Sequence, residues 1–253
     1  MIGMVKTLAR RAARAFGYDI VPHPIEGSLG AHLAALFAHL DINCVIDVGA
    51  HVGEYGLFLR GLGFRGHIVS FEPAAASFAA LSEVSARDAS WAAHRLALGA
   101  GHGTVALHVT RRPEFSSIRA LRPECREIFG PTAAVERVET VEMRRLSSLF
   151  ASCTAGIPEP RVYLKMDTQG YDLEVLEGAG PALGAVLALQ SEVSVTPLYH
   201  DMPDYAAAIA RLTALGFELT GLFPVSRDRE LRVIELDCVM RRASGARPPG
   251  AAR

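Results

Sequence analysis

Short apolar runs alternate along the chain with segments in which apolar residues recur at helical spacing. The runs are rich in β-branched residues, which is typical of strands buried in a sheet, whereas apolar spacings of three and four residues predict amphipathic helices. The predicted strands cover residues 44–48, 67–71, 91–98, 104–110, 138–143, 161–166, 185–195, 217–222 and 232–240. The predicted helices cover residues 31–40, 54–60, 77–84, 171–176 and 203–215. This alternation predicts an α/β protein with a mostly parallel sheet, and the last two strands predict an antiparallel hairpin.

The two ends of the chain differ in composition from this patterned region, which we assign to one domain over residues 31–242. A chain of 253 residues is long enough for one well-buried α/β domain and short for two. Residues 1–30 hold a basic amphipathic helix and a connector. The helix either lies on an anionic membrane or a partner, or packs on its own domain. Residues 243–253 are rich in proline, glycine and alanine, and we predict a disordered tail.

Net charge and cysteine content exclude several classes of function. The formal net charge of -1 gives no overall field that would attract nucleic acid, so we expect no nucleic-acid partner. The cysteines are scattered and form no C-x-x-C pair, which indicates a reducing compartment and no zinc site. The sequence contains no run of about eighteen apolar residues that would form a spanning helix. We therefore expect a cytoplasmic protein, peripheral to a membrane if the N-terminal helix binds one.

The stretch Cys44–Gly53, C-V-I-D-V-G-A-H-V-G, predicts a buried strand that ends in a tight glycine turn and opens a helix. Ligands of open α/β sheets bind outside the carboxyl ends of the strands, and glycine lets the backbone approach them. The stretch lacks the middle glycine of a dinucleotide fingerprint, which disfavours a nicotinamide dehydrogenase. Asp47, two residues before Gly49, would repel a phosphate and suits a cationic or hydroxyl-bearing ligand. S-adenosylmethionine has an amino group and a sulfonium, and it carries no phosphate.

A second acid follows the next predicted strand. Glu72 lies roughly twenty residues beyond the glycine turn, where Rossmann-like sites place an acid on the ribose hydroxyls. Taken alone, Asp47 would be a helix cap and Glu72 a surface carboxylate. Their positions at two successive strand ends favour a nucleoside site.

Four segments carry motifs that occur together in one enzyme family. They are V-I-D-V-G-A-H-V-G from Val45, F-E-P from Phe71, L-K-M-D-T-Q-G-Y-D-L-E-V-L-E-G-A at Leu164–Ala179, and S-E-V-S-V-T-P-L-Y at Ser191–Tyr199. Together they resemble the FkbM family of S-adenosylmethionine-dependent methyltransferases, and the resemblance covers residues 42–241. Two positions depart from the family pattern, since His51 stands where Asn is more frequent and Gln169 where many members have Glu.

The resemblance implies a class I methyltransferase Rossmann-like fold, with a mostly parallel seven-stranded sheet and an antiparallel C-terminal hairpin. The strands at 104–110 and 138–143 lie outside this pattern, and we expect them to form an extra strand pair. The resemblance also implies a site for S-adenosyl-L-methionine. The candidate cofactor-binding residues are Asp47, Gly49, His51, Gly53, Tyr55, Glu72, Leu96, Ala97 and Asp167. Leu96 and Ala97 either form a wall against the adenine or pack in the core.

The segment between the two extra strands, residues 111–131, is locally basic. Long segments between regular elements often carry binding functions, so we interpret this one as a substrate flap or, alternatively, a variable surface insertion. The candidate acceptor-binding residues are Phe115, Ser116, Ser117, Gln169 and Tyr171. The first three would form the inward tip of the flap, and Tyr171 either lines the acceptor pocket or anchors the start of a helix.

A hydroxyl acceptor must lose a proton during methyl transfer, either to a general base or with the help of a metal ion. Asp167 and Glu192 follow or end two predicted strands and suit both roles, as a base or as ligands of Mg²⁺. Gln169 weakens the metal set, because an amide is a poorer ligand than a carboxylate. His200, on the loop after Glu192, is either a second candidate base or an ordinary loop histidine.

The leading hypothesis is an S-adenosylmethionine-dependent O-methyltransferase, and the family resemblance implies acceptors such as sugars, glycolipid or polysaccharide units, or secondary metabolites. An N-methyltransferase acting on a small molecule and a non-catalytic S-adenosylmethionine-binding module are the alternatives. RNA methylation is disfavoured because the basic segment holds few aromatic residues on which bases would stack. The expected partner is a small-molecule or glycan acceptor, and a homo-oligomer is left open.

Overall fold

The computed structural model describes residues 12, 13, 16 and 27–243, without the side chains of residues 126 and 127. Most of the predicted N-terminal helix and its connector lie outside these residues, as does the predicted tail from residue 244 onward. Within the described part of the chain, none of the helices combines the length and apolar character needed to cross a membrane.

The described residues form two sheets. The strands are β1 (Cys44–Val48), β2 (His67–Phe71), β3 (Trp91–His94), β4 (Ala97–Leu98), β5 (Gly103–Thr110), β6 (Val135–Arg144), β7 (Val162–Met166), β8 (Val186–Ser194), β9 (Phe217–Arg227) and β10 (Val233–Arg242). The main sheet has the order β3-β2-β1-β7-β8-β10-β9. Its first five strands run parallel, and β10 is antiparallel to both β8 and β9. The predicted seven-stranded, mostly parallel sheet with an antiparallel C-terminal hairpin is confirmed.

The second sheet has the order β4-β6-β5. β5 and β6 pair antiparallel, which confirms the expected extra strand pair. The prediction of one strand over 91–98 is wrong, because the chain turns after His94, where the Leu96 N–H donates to the His94 carbonyl over 3.0 Å. Ala97 then pairs with Met143 in the second sheet. The chain therefore passes from the main sheet to the second sheet at this turn.

Helices connect most of the parallel strands. The α-helices of the described residues are α1 (Leu29–Leu40), α2 (Glu54–Gly61), α3 (Ala75–Ser85), α4 (Pro123–Phe129), α5 (Leu146–Cys153), α6 (Asp172–Ala179) and α7 (Tyr205–Ala214). Short 3₁₀ helices cover Pro113–Phe115, Gly130–Ala133 and Gly180–Ala185. Side-chain caps fix two of the helix starts, since Ser28 Oγ accepts from the Ala31 N–H at 3.2 Å and Asp204 Oδ1 accepts from the Ala207 N–H at 2.8 Å.

The core lies on both faces of the main sheet, which explains why its parallel strands have continuous apolar runs. In β1, Val45 belongs to the hydrophobic cluster that contains Leu33 of α1. The next residue, Ile46, belongs to the cluster on the other face, together with Leu164 of β7. All five residues of β1 are buried, including Asp47. A charge in such a strand requires a partner within the protein.

The carboxyl ends of β1, β2, β7 and β8 meet at one edge of the main sheet. The strand register places Val48 beside Phe71 and Met166, and it places Met166 beside Ser191. The residues that come next on these four strands are Gly49, Glu72, Asp167 and Glu192. Ligands of open α/β sheets bind at this edge, so the fold brings the sequence-predicted turn and acids to the expected place.

Candidate active site

A cavity of about 540 Å³ opens at this edge of the main sheet. The glycine turn after β1, the residues after β2 and the strand β4 line one part of it, and the ends of β7, β8 and β10 line another. The sequence-predicted residues in the lining are Gly49, His51, Tyr55, Glu72, Leu96, Ala97, Ser116, Ser117, Asp167, Gln169, Tyr171 and Glu192. The predicted residues that lie outside the lining are Asp47, Gly53, Phe115 and His200.

The glycine turn packs closely against the end of β7. Gly49 has a φ of 77°, a conformation that glycine adopts without strain. A Cβ at this position would lie 1.9 Å from the carbonyl oxygen of Asp167, so no other residue fits. The Gly49 N–H donates to the carbonyl of Phe71 over 2.9 Å, which ties the turn to the end of β2 as well. The backbone after β1 is therefore held between its two neighbouring strands.

Glu72 is oriented by two backbone groups. Its Oε2 accepts from the His51 N–H at 2.8 Å, and its Oε1 accepts from the Ala74 N–H at 2.8 Å. Burial raises the pKa of Glu72 to about 7, although these two hydrogen bonds lower it. His51 has a φ of 48°, and this left-handed conformation turns its N–H toward the carboxylate. The glycine turn and Glu72 therefore form one rigid unit in the cavity wall.

Asp47 differs from the expectation that it contacts a ligand. It is fully buried, its Oδ2 accepts from Ser70 Oγ at 3.2 Å, and its Oδ1 lies 3.2 Å from Lys165 Nζ. Burial raises the pKa of Asp47, and the charge of Lys165 opposes that shift. Residue 47 lies inside β1, so its side chain is directed into a packed face of the sheet, where its role is to pair with Lys165.

Lys165 joins the glycine turn to the acids of the cavity. Only 4% of the residue is exposed. Its Nζ donates to the Gly49 carbonyl over 3.2 Å and lies 3.4 Å from Asp167 Oδ2. Burial lowers the pKa of Lys165, but the carboxylates of Asp47 and Asp167 raise it more strongly, so the net shift is upward. The lysine is therefore a permanent positive charge between the two parts of the cavity.

An amide bridges the acids at the ends of β7 and β8. Gln169 Nε2 donates to Asp167 Oδ1 over 2.8 Å and to Glu192 Oε2 over 2.7 Å. The Tyr199 hydroxyl donates to Gln169 Oε1 over 2.8 Å. Burial raises the pKa of Glu192, and the nearby charge of Asp167 raises it further. We call Asp167 and Glu192 the acid pair.

A third carboxyl group reaches the cavity from β10. Gln190 Nε2 donates to Asp237 Oδ1 over 2.8 Å, and the Tyr55 hydroxyl donates to Gln190 Oε1 over 2.8 Å. Burial raises the pKa of Asp237 to about 6. Asp237 lies in the lining only because the C-terminal hairpin places β10 next to β8.

The basic segment covers one side of the cavity. Ser116 and Ser117 line the cavity, and Ser117 Oγ donates to the Gln169 carbonyl over 2.7 Å. Phe115 is instead turned away from the lining. Its ring packs 4.6 Å from that of Phe129 in a separate hydrophobic cluster, so the predicted inward tip consists of the two serines without the phenylalanine.

Arg119 fastens this segment to the turn after β7, a role that the sequence did not indicate. Its Nε donates to the Gly170 carbonyl over 2.8 Å, and its guanidinium forms an ion pair with Glu174 and lies 5.5 Å from the centre of the Tyr171 ring. Its Nη1 also donates to the His200 carbonyl over 3.1 Å. The guanidinium of Arg119 is thus occupied by contacts within the protein.

Two other predicted residues have structural surroundings outside the cavity. His200 is exposed, its N–H donates to the Ala120 carbonyl over 2.9 Å, and it lies outside the cavity lining. A Cβ at Gly53 would lie 3.2 Å from Leu81 and 3.3 Å from Trp91. Gly53 therefore makes room for core side chains behind the turn.

The expectation of a Mg²⁺ site is not supported. Among the residues that the structure describes, no group of three or more His, Cys, Asp or Glu side chains is arranged to hold a metal ion. Between the acid pair lies the amide nitrogen of Gln169, whose N–H groups donate to both carboxylates. A hydrogen-bond donor cannot coordinate a cation, so the donor set at this point does not suit Mg²⁺.

The sequence from residue 47 to residue 219 matches the model of the methyltransferase FkbM domain. The chain belongs to the FkbM methyltransferase family. A search of curated protein sequences found no match. The family assignment confirms the resemblance drawn from the sequence motifs, and it identifies the glycine turn and the strand-end acids as parts of a methyltransferase domain.

Solved structures resemble the FkbM chain in fold. The methyltransferase FkbM from Methylobacillus flagellatus KT is 18% identical, covers 78% of this chain with 44% of its own, and has a TM-score of 0.51. This chain thus spans less than half the length of that protein. An rRNA methylase from Streptococcus thermophilus is 11% identical over 85% of this chain and 94% of its own, with a TM-score of 0.45. Fibrillarin from Aeropyrum pernix, solved with S-adenosyl-L-methionine, is 10% identical over 78% and 66%, with a TM-score of 0.43.

The residues around the turn fit the methyl donor of FkbM methyltransferases, which is S-adenosylmethionine. Gly49 leaves the backbone open to a ligand, Glu72 presents a fixed carboxylate, and Leu96 and Ala97 add an apolar wall to the same cavity. The donor carries no phosphate, and the lining of this part of the cavity contains no arginine among the described residues.

Several site residues of this FkbM chain escaped the sequence reasoning. Lys165, Gln190 and Asp237 line the cavity, and none of them is among the site residues predicted from the sequence. Each is a polar side chain that directly follows a leucine within a strand. Such a residue is a signal of a buried polar contact, because burying it without a partner is costly. Arg119 gave no comparable local signal.

Proposed function

We propose that this FkbM family member transfers the methyl group of S-adenosylmethionine to a hydroxyl group of a sugar, a glycolipid or polysaccharide unit, or a secondary metabolite. The observation that carries the proposal is the presence of the acid pair in the same cavity as the glycine turn and Glu72. A carboxylate next to the donor supports removal of the hydroxyl proton, which transfer to oxygen requires.

The turn side of the cavity would hold the donor. Glu72 would accept hydrogen bonds from the ribose hydroxyls, since its orientation is fixed by the N–H groups of His51 and Ala74. Leu96 and Ala97 would pack against the adenine. The sulfonium of the donor activates the methyl carbon, so the protein contributes position and electrostatics to the reaction.

The acid pair would receive the acceptor. Two carboxyl groups this close to each other do not both ionise readily, because their negative charges repel. Burial together with the Asp167 charge raises the pKa of Glu192. We therefore assign the proton of the pair to Glu192, which would orient the acceptor, and the role of base to Asp167. The acceptor oxygen forms its bond to the methyl carbon as the carbon–sulfur bond breaks, and the hydroxyl proton passes to Asp167.

The charge of the cavity supports acceptors without phosphate or sulfate groups. The carboxyl groups in the lining are those of Glu54, Glu72, Glu114, Asp167, Glu192 and Asp237. Among the described lining residues, Lys165 is the one with an amino or guanidinium group, and it is paired with Asp47. Such a lining attracts cationic amines, accepts hydrogen bonds from neutral polyols and repels anions. It also favours N-methylation of a small amine as the second candidate function.

A nucleic-acid acceptor has less support. The basic segment's Arg119 is bound to Glu174 and to backbone carbonyls. Arg112 and Arg122 lie near Glu114 and Glu124, respectively. An acidic neighbour offsets part of the positive charge of each of these three arginines, which reduces their attraction for a phosphate backbone.

A label-transfer screen tests the proposed function. The protein is incubated with tritiated-methyl S-adenosylmethionine and extracts of the encoding organism, and the label is sought in glycan, lipid and small-molecule fractions. Acid-stable, base-stable label attached to oxygen supports O-methylation. Label on nitrogen supports the second candidate, and donor binding by calorimetry without any transfer indicates a non-catalytic binding module.

The Asp167→Asn variant tests the role of the acid pair within that screen. We expect transfer to fall by about a hundredfold or more, because the base is lost, while donor affinity stays within about threefold. Glu230→Gln is the matched control, since it makes the same acid-to-amide change at a loop residue with 76% of its side chain exposed. Near wild-type turnover in Asp167→Asn would contradict the assignment of the base.

A further inference from the structure

The amide of Gln169 occupies the position between the two carboxyl groups of the acid pair. Its nitrogen lies 2.8 Å from Asp167 Oδ1 and 2.7 Å from Glu192 Oε2. Both distances are those of direct hydrogen bonds, so the two carboxyl groups converge on a single atom. Groups of the same charge are normally placed this close only around a proton, a donor or a cation.

The orientation of the amide is decided by its partners. With the nitrogen toward the acid pair, both N–H groups have carboxylate acceptors and the oxygen accepts from the Tyr199 hydroxyl over 2.8 Å. The reverse orientation would set the amide oxygen against the oxygens of both carboxyl groups. Hydrogen bonding therefore selects the donor orientation.

The backbone holds the amide in this place. Gln169 has a φ of 55°, its carbonyl accepts from Ser117 Oγ at 2.7 Å, and the following Gly170 carbonyl accepts from Arg119 Nε at 2.8 Å. An L-residue in the left-handed conformation is maintained only where the surroundings determine it. The turn after β7 is therefore built to deliver this side chain to the acid pair.

We propose that the Gln169 amide takes the place of a divalent cation between Asp167 and Glu192, so that the acid pair of this chain works without a metal ion. The inference deepens the proposed function, because it concerns how the acceptor's proton is removed at the same site. The amide neutralises no charge, but its two N–H groups hold the carboxyl groups in position. The proton would pass to the other oxygen of Asp167, Oδ2, which lies 3.4 Å from Lys165 Nζ. Gln169 is thus a positioning residue.

Exchange of this one amide for a carboxylate is expected to create a cation site. In Gln169→Glu, three carboxylates would converge where the amide nitrogen now lies, and oxygen ligands of this kind suit Mg²⁺ and Mn²⁺. The new charge repulsion would be relieved by binding of the cation. A role that is purely structural predicts no gain of metal binding.

The test is a Mn²⁺ titration of the full chain by calorimetry and electron paramagnetic resonance, which needs neither donor nor acceptor. The samples are the wild type, Asp167→Asn, Gln169→Glu and the double variant Asp167→Asn/Gln169→Glu. We expect Gln169→Glu to bind Mn²⁺ at least about tenfold more tightly than the wild type, and the double variant to lose that gain, because the ligand charge falls again. Thermal unfolding should show Mn²⁺ raising the Tm of Gln169→Glu alone.

Three results would overturn the proposal. One is Mn²⁺ binding by the wild type that disappears in Asp167→Asn, and the second is equally weak binding by the wild type and Gln169→Glu. The third is loss of wild-type label transfer on addition of a chelator with recovery by Mg²⁺. If Gln169→Glu does not fold, the wild-type titration and the chelator assay still decide. Absence of any methyl transfer would refute the proposed function while leaving the Mn²⁺ readout intact.

Discussion

Lys165 connects the glycine turn to the acid pair in the cavity wall. Its ammonium donates to the Gly49 carbonyl, lies near the Asp167 carboxylate, and pairs with the fully buried Asp47. The pairing explains why an acid is tolerated inside an apolar strand. It also means that the positive charge next to Asp167 is that of Lys165 and does not depend on a bound ligand.

Removal of the Lys165 charge should destabilise the whole domain. Lys165→Met leaves Asp47 buried without its partner, so we expect a loss of about 3–5 kcal/mol in the free energy of unfolding, measured by denaturant titration. The double variant Asp47→Asn/Lys165→Met is the control, because it removes both charges and should recover part of the loss. A decrease smaller than about 1 kcal/mol in the single variant would show that the pair is not what keeps Asp47 buried.

Glu72 should give the stability of the domain a defined pH dependence. The folded chain holds this proton up to a pKa of about 7, whereas the ordinary value is 4.5. Because the folded state binds the proton more tightly, the contribution of Glu72 is fully present below pH 4.5 and is lost as the pH rises through 7. Glu72→Gln cannot titrate, so its unfolding free energy should fall less steeply across that window.

Urea unfolding of both proteins over the same pH series checks this expectation, because it compares slopes rather than absolute stabilities. The buried acids Asp237 and Glu235 also have raised pKa values, at about 6 and about 7, and they contribute equally to both profiles. Parallel profiles for the wild type and Glu72→Gln would mean that Glu72 is already ionised in the folded chain.

At the scale of elements, the segment between β5 and β6 is attached to the turn after β7 by a small number of specific contacts. Ser117 and Arg119 donate to the backbone carbonyls of Gln169 and Gly170. The same segment lines the cavity through Ser116 and Ser117. Its position and the geometry of the acid pair are therefore linked.

Arg119→Ala should loosen this attachment. Loss of charge-assisted hydrogen bonds costs about 1.5–3 kcal/mol each, so the local opening of the segment should become about tenfold or more populated. We expect faster cleavage within residues 111–131 in limited proteolysis and a raised KM for the acceptor, with donor affinity unchanged. Arg122→Ala is the matched control, since that side chain is 40% exposed and pairs with the exposed Glu124. Equal cleavage rates in the two variants would refute the anchoring role of Arg119.

The elements that sequence patterns predicted are those determined by local chemistry. The strand, glycine turn and helix start at 44–60 follow from apolar runs and glycine positions, and the structure has them. The prediction of one strand over 91–98 was wrong. The strand is interrupted because Ala97 pairs with Met143, which lies far away in sequence. The helix α5 was not predicted. It has only eight residues, and of these Leu146 and Cys153 are buried.

The same distinction holds for the site. The acids at the strand ends could be predicted, because parallel strands end at one edge whatever their separation in sequence. The burial of Asp47 could not, since its partner Lys165 lies on a different strand. The contacts of Gln169 and Arg119 involve three separate segments of chain, and no local pattern encodes such a meeting.

At the scale of the whole molecule, the sheet order collects acids from distant parts of the chain into one cavity. β7 and β8 bring Asp167 and Glu192 next to the turn after β1, and the antiparallel hairpin adds Asp237 from β10. The overall charge of -1 gives no indication that carboxyl groups are concentrated in the cavity. The concentration of carboxyl groups in the cavity is therefore a property that the net charge of the chain does not report.

The charge of the cavity leads to an expectation about the labelled product. A small acceptor should be neutral or cationic, because phosphate or sulfate groups would meet several carboxylates and one lysine that is already paired. After transfer of a tritiated methyl group, the labelled small molecules should pass through an anion-exchange resin. A sugar added to the reaction should inhibit labelling of the acceptor more strongly than the corresponding sugar phosphate does. Retention of most of the label on the resin would contradict this selection, because the acceptor's anionic group would then have to find a positive partner that the described lining does not provide.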